Sequence, residues 1–273
     1  MTFAPGIYPG ITNADYHKDP ALGSTSLKTL ATRTPAHYQH DLTHPKFSDA
    51  FTLGTAAHSL ILEDSMADIV IVEADNWLTK FAKEAKAEAL AAGFQPLITK
   101  EWAQVQAMRD AVMAHPLARA AFTDHRAEES VFWEEGGLML KCRPDATQPG
   151  TLVDLKTTVN ADPREFGKTA YKFGYHQSAA HYQDGLLAAT GETLPFIFVL
   201  VEKQAPYLVS VVQLDDEAIQ AGRALNERAK NIYRDCNETG IWRGYESNEP
   251  ISLPIWAHYE MDDLLGIASE VEF

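Results

Sequence analysis

Arg143-Pro144-Asp145, the Pro149-Gly150 pair and Val153-Asp154-Leu155-Lys156-Thr157-Thr158 decide how this chain reads. They form two extended segments joined by a tight turn, which brings two carboxylates and one lysine to the same end of a hairpin. Side chains of a strand alternate, so Leu152, Asp154 and Lys156 share one face while Val153, Leu155 and Thr157 share the other. An acid and an amine two residues apart therefore point the same way.

That combination suits phosphodiester chemistry. Hard carboxylate oxygens hold Mg²⁺, the metal activates a water and neutralises developing charge, and a lysine adds a cation or orients the water. A surface Asp-Lys pair on an ordinary hairpin is the plainer account of the D-x-K alone, and such pairs contribute little. The preceding Pro144-Asp145 and the apolar Val153 and Leu155 favour a built site.

Upstream, Glu128 to Trp133 alternates, and the Gly136-Gly137 turn leads into Leu138 to Arg143. The pattern predicts a three-stranded meander that begins at Glu128 and ends in the central hairpin; either Glu128 or Glu129, on opposite sides of the strand, could face a metal site at the sheet edge, a third carboxylate near Asp145 and Asp154. Lys100 to His115 predicts a helix whose Trp102, Val105, Met108 and Val112 form a core stripe. Trp77 to Ala92 predicts a solvent-facing helix closed by Gly93, and Ile69 to Val72 a strand. Leu53 to Glu63 predicts a buried helix around His58, a histidine that is either a satisfied core group or a metal ligand or hydrogen-bonder at a site. Ser24 to Leu30 predicts a short helix, capped by serine or threonine, that stops before Pro35. Its Lys28 and Arg33 are candidates for DNA phosphate contacts, or plain surface charge. Gly6 to Ile11 reads as an extended segment and a turn.

Downstream, Pro163 to Phe173 predicts a helix whose Arg164, Lys168 and Lys172 make a small basic patch; Arg164 is a third candidate for DNA binding. Tyr175 to Ala189 predicts a helix with Tyr175, Ser178, Ala179, Tyr182 and Leu186 on one face and Gln177 on another flank. Pro195 to Glu202 and Pro206 to Gln213 fit two more strands. Glu217 to Asp235 fits a long helix opened by acids and basic towards its end, as the helix dipole favours. Leu253-Pro254-Ile255-Trp256-Ala257 is expected to pack back onto the body, and Glu260 to Phe273 to be an acidic, mobile end.

The 273 residues carry 23 basic and 38 acidic side chains, a net charge of −15, which argues against a sequence-independent DNA coat. A nuclease that confines its basic groups to one groove remains compatible with that total. The composition is 45% hydrophobic and 22% charged, that of an ordinary soluble protein. No apolar run approaches a membrane span, no secretory signal is visible, and an intracellular protein is expected. Cys142 and Cys236 are too few for a disulfide framework or a four-thiolate cluster and are expected reduced and buried.

Over nearly its whole length the chain resembles the phage-type exodeoxyribonuclease VIII family, in the RecB-like branch of the PDDEXK nucleases. The likeness runs through Gly6-Ile7-Tyr8, Ser24 to Pro35, Leu53-Gly54-Thr55-Ala56-Ala57-His58, Cys142-Arg143-Pro144-Asp145, Asp154-Leu155-Lys156-Thr157-Thr158, Tyr175-His176, Tyr182, Asp184-Gly185 and Leu253 to Ala257. It implies an α/β fold: a central mixed sheet flanked by helices, with an N-terminal helical elaboration. One nuclease domain over 1–273 is expected, mostly helical over about 1–125, with the catalytic sheet and helices over about 126–215 and a helix and tail over about 216–273.

The resemblance also implies a metal-dependent, ATP-independent exonuclease that degrades one strand of duplex DNA from the 5′ end and leaves a 3′ overhang for a single-strand annealing partner. His58, Asp145, Asp154 and the backbone carbonyl of Leu155 would hold Mg²⁺ or Mn²⁺, two per site, with Glu128 nearby. Lys156 would assist the attacking water and Tyr182 would position substrate or Lys156. Such enzymes look like ring-shaped homo-oligomers threaded by duplex ends, at work in the cytoplasm of a bacterial host. One departure stands out: Ser178 lies four before Tyr182, where the family carries glutamine, and the glutamine is Gln177. A shift of one residue turns a helical side chain by about 100°, so Gln177 would reach the site through local rearrangement or a water would replace it. A DNA-end-binding or assembly module that has lost catalysis, and a RecB-like nuclease with another DNA substrate, are the competing readings.

Overall fold

The structure, a computed structural model, describes residues 2–44, 53–246 and 249–266. The chain opens with β1 (Gly6–Tyr8) and the helices α1 (Asn13–Lys18), α2 (Ser24–Thr32), α3 (Pro35–Thr43) and α4 (Leu53–Leu62). Next come β2 (Ile69–Val72), α5 (Lys80–Ala91), β3 (Gln95–Ile98), α6 (Thr99–Ala114) and α7 (Pro116–Ala121). The strands β4 (Arg126–Ala127), β5 (Ser130–Glu135), β6 (Leu138–Cys142), β7 (Ala146–Gln148) and β8 (Thr151–Thr158) follow. The rest is α8 (Pro163–Phe173), α9 (Tyr175–Thr190), β9 (Phe196–Glu202), β10 (Val209–Val212), α10 (Asp216–Thr239) and α11 (Ile255–Leu265).

The main sheet runs in the order β10-β9-β8-β7-β4. Its β8–β9 pair is parallel and its other pairs antiparallel, which makes it mixed. A parallel pair needs a long crossover, and α8 and α9 supply it. Asp162 starts that crossover by capping α8 through its carboxylate, and Gly174 joins α8 to α9 at φ 65°, a left-handed position that glycine takes at little cost.

β8 is the strand the molecule is packed around. On one face Leu152 meets Phe196, Phe198 and Leu200 with residues of α8, α9 and α10; on the other, Val153 and Leu155 meet Ala56, Ala57, Val105, Met108 and Val112 from α4 and α6. Each such side chain, fully buried, contributes about 1.5–3 kcal/mol. The alternation expected along β8 thus sorts its apolar residues into two cores. β7 pairs with it antiparallel, Ala146 opposite Val153, so continuing the register by one puts Asp145 opposite Asp154.

Two expectations are corrected, and one strand has no counterpart in the sequence reading. The meander beginning at Glu128 does not form: Glu128 sits at φ 49°, and this left-handed kink separates β4, which pairs with β7, from β5. β5 and β6 instead join β1 in a second sheet, where Phe132 packs against Phe3, Tyr8 and Tyr16. Residues 95–98 form a strand parallel to β2, disguised in the sequence by Gln95 and by Pro96, which offers no ladder N–H. The Leu253 to Ala257 tail does not pack back: Leu253, Ile255 and Trp256 are 56%, 71% and 65% exposed, because α10 already closes the core that the tail was expected to cover. Of the acidic end, 267–273 lie outside the described residues. Both cysteines are buried and unpaired, as expected.

Gly222 fixes how closely α9 and α10 approach, since a Cβ there would lie 2.2 Å from the carbonyl oxygen of His176. Gly222→Ala should therefore destabilise the protein by about 1–3 kcal/mol, although alanine is the better helix former. Urea unfolding checks this, and an unchanged or raised midpoint would show that the helices yield freely.

Candidate active site

The carboxylates and the lysine come together at β8. Asp145 follows β6 in sequence and accepts a hydrogen bond through Oδ2 from the Leu155 backbone N–H at 2.6 Å. His58, near the middle of α4, donates through Nε2 to the Leu155 carbonyl at 2.7 Å and lies 3.4 Å from the same Asp145 oxygen. Both polar groups of Leu155 are thus used on behalf of the site while its side chain is core. His58 is thus satisfied by a backbone carbonyl and lies beside Asp145.

Asp154, 4% exposed, points to the opposite face of the strand, where Lys156 Nζ forms an ion pair with its Oδ2. Lys156 is thus the partner of this buried oxygen, and its charge favours the ionised carboxylate. Burial pushes the Asp154 carboxyl up to about 6 despite Lys156. Burial also raises Asp145, with Lys156 and the Leu155 N–H acting the other way. For Lys156 burial acts downward, but Asp154 and Asp145 together hold it above the usual ammonium range. Burial, with Lys156 adding to it, takes His58 down to about 4, so its imidazole is neutral at neutral pH and can serve as a ligand.

Glu128 donates its backbone N–H to the Asp145 carbonyl, and burial and Asp145 raise its carboxyl. It lines a cavity of about 430 Å³ together with His58, Glu63, Gln95 and Arg143. Neither Asp145 nor Asp154 forms part of that wall. A larger cavity, about 660 Å³, is apolar, lies between α8 and the start of α10 and holds none of these carboxylates.

Arg143 was missed as a site residue although it sits inside the deciding motif. Its guanidinium donates to Ser130 Oγ and the Ile11 carbonyl, stacks 4.3 Å above the Tyr16 ring and faces Glu128 at 3.7 Å. An arginine between Cys142 and Pro144, next to the acid, was the available signal.

The remaining candidates divide. Lys28 is half-buried near Lys156 and Asp154; burial, then the Lys156 charge, lowers it. Tyr182 faces the same region, its phenol raised by burial with Tyr16 and Asp154 contributing. Arg33 pairs with Asp41 at 3.2 Å and Arg164 with Asp162 at 2.6 Å; both are surface ion pairs and line neither the Glu128 cavity nor the one beside Lys156. Gln177 is 2% exposed, its main-chain carbonyl accepts from Asn226, and its Oε1 has no donor. Ser178 is tied instead to Ser24 of α2, Oγ to Oγ, at 2.8 Å. The side-chain amide of Gln177 lies near Gly174, where the Lys28 stem also runs.

The family model of a PDDEXK-like domain of unknown function, DUF3799, matches residues 23–249. The chain belongs to this family. Among solved structures, a candidate exonuclease from Eubacterium rectale is 16% identical, with a TM-score of 0.61 over 94% of this chain and 99% of the other. A phage-related exonuclease from Haemophilus somnus 129PT is 15% identical at a TM-score of 0.34, over 68% and 95%. An alkaline exonuclease from Laribacter hongkongensis is 16% identical at 0.26, over 68% and 92%. No curated protein matches the sequence.

The residues of this PDDEXK-like domain fit a hard divalent cation. Carboxylates and a backbone carbonyl suit Mg²⁺ or Mn²⁺, and the charge of buried Asp145 disfavours ionisation of buried Asp154, a repulsion that a bound cation would relieve. Among the described residues no three such side chains already form a cage. His58, Asp145 and the Leu155 carbonyl lie close enough to Asp154 and its partner Lys156 for their charges to act on one another.

Cation binding should therefore compete with a proton. Asp154 ordinarily titrates at 3.8; with its folded value raised to about 6, ionising it costs the cation-free fold stability as pH rises through that range. A cation that binds the carboxylate reverses this cost, adding about 2.7 kcal/mol at a hundred times its dissociation constant. Mg²⁺ should raise Tm clearly at pH 8, hardly at pH 5, and not in Asp145→Asn. Equal shifts in all three cases would contradict the site.

Proposed function

We propose that the protein is a metal-dependent, ATP-independent exonuclease that degrades one strand of duplex DNA from its 5′ end and leaves 3′ single-stranded overhangs. The observation that carries this is the convergence of Asp145, Asp154, Lys156, His58 and the Leu155 carbonyl at one end of β8, where the charges of these side chains act on one another. The resemblance to phage-type exonucleases supports the direction and the duplex substrate.

His58, Asp145, Asp154 and the Leu155 carbonyl would hold Mg²⁺ or Mn²⁺, two ions per site. When bound, the ions supply charge neutralisation and a water of lowered pKa. Lys156, kept charged by the two aspartates, orients the water and adds a cation opposite the phosphate. Arg143 holds Glu128 at the edge of the neighbouring cavity. Tyr182 positions substrate or Lys156, and Gln177 acts indirectly. A ring-like homo-oligomer would thread duplex ends and deliver the overhang to an annealing protein in the bacterial cytoplasm. No helix among the described residues is long and apolar enough to cross a membrane.

Duplex DNA labelled at either end tests this. The 5′ label should be released at once and the 3′ label retained; the reverse order would exclude the assigned direction, and cutting of closed circles would make the protein an endonuclease. Asp154→Ala and Lys156→Ala should each lower cleavage by at least about a hundredfold with circular dichroism unchanged. One observation favours a second reading, a DNA-end-binding module: Ser178 occupies the family's glutamine position and is bonded to Ser24. Such a module would shift DNA in a gel without shortening it.

A further inference from the structure

Beside Lys156, on the side away from Glu128, lies a cavity of about 190 Å³ whose lining includes Val159, Phe166, Phe173, Tyr175 and Lys203. It falls below the usual size of a small-molecule pocket, with room for one planar ring and not for a duplex. Its walls continue a stack of aromatic rings that begins in the core. Phe198 lies 5.8 Å from Tyr175 at an interplanar angle of 29°, and Tyr175 lies 5.7 Å from Phe173 at 25°. Phe198 is buried, whereas Phe173 is 52% and Val159 84% exposed, so the stack ends in the open at the cavity mouth.

The charge around this mouth is positive in a chain of net charge −15. Lys172 Nζ lies 5.4 Å from the Phe173 ring centre. Lys28 runs across Gly174, where a Cβ would come within 2.7 Å of Lys28 Cδ, so the glycine makes room for the lysine stem. Arg164 and Lys168 on the same helix α8 are paired with acids, but among the described residues no carboxylate pairs with Lys28, Lys172 or Lys203. Aromatic rings interleaved with unpaired lysines are what a single nucleic-acid strand requires: faces for its bases and cations for its phosphates.

We propose that this cavity is a subsite for one unpaired base of single-stranded DNA, stacked on Phe173 at the open end of the ring stack, with the flanking phosphates held by Lys28, Lys172 and Lys203. The subsite rests on the nuclease reading for its position next to the reacting phosphate. The strand being degraded enters it only after its terminal bases separate, which orients the phosphate towards Lys156 and Asp154. Unpairing costs a few kcal/mol, least at a duplex end, so the subsite favours ends over internal positions.

The test uses the full chain in EDTA and a short single strand carrying 2-aminopurine near its 5′ end. Wild type should bind it and quench its fluorescence. Phe173→Ala should lose the quenching and about tenfold in affinity, Phe173→Trp should keep both, and Leu117→Ala, at an exposed residue on α7, should change neither. In Mg²⁺, Phe173→Ala should raise KM more than it lowers kcat. Binding without quenching, or Phe173→Ala equal to wild type, would overturn the subsite while leaving a cutting enzyme in place. Quenching that depends on Phe173 in a protein that never shortens DNA would keep the subsite and remove the nuclease reading.

Discussion

Charge on a strand that is buried on both faces is the constraint everything else answers to. β8 lies inside the main sheet between two cores, and positions 154 and 156 of that strand hold an aspartate and a lysine. An isolated charge there is costly, and a buried pair is stable only with good geometry and further partners. Here burial raises the Asp154 carboxyl despite its Lys156 partner. A fold optimised for stability alone would carry apolar residues at both positions.

The surroundings divide the work by strand face. Leu155 serves two purposes at once: its side chain is core, while its N–H and C=O fix Asp145 and His58. That anchors the acidic corner to the most rigid part of the sheet, where sub-ångström placement is held by packing. Lys156, Tyr175 and Lys28 occupy the other face, next to the cavity with the aromatic mouth. Basic and aromatic side chains thus gather beside the acidic ones in a chain of net charge −15.

Alternation along 152–157, the stripe of Val105, Met108 and Val112, and the helix over 163–173 were legible from period alone, because each element buries a face that local spacing defines. The acid and the amine two apart on one strand were legible for the same reason. What the strand order would be was not. β5 leaves the main sheet because Glu128 adopts a left-handed backbone and because Phe132 finds an aromatic cluster near the N-terminus. Neither fact is local to residues 128–133.

Residue types and spacing determined the chemistry at hand: carboxylates, an amine and an imidazole in a pattern fit for a divalent cation. Only tertiary structure decided which of them meet. His58 reaches Leu155 across 97 positions of sequence, Ser178 is tied to Ser24, and Arg33 and Arg164 remain surface ion pairs. Periodicity reports which face a residue is on; it carries no information about what another part of the chain brings against that face, and that is set by packing alone.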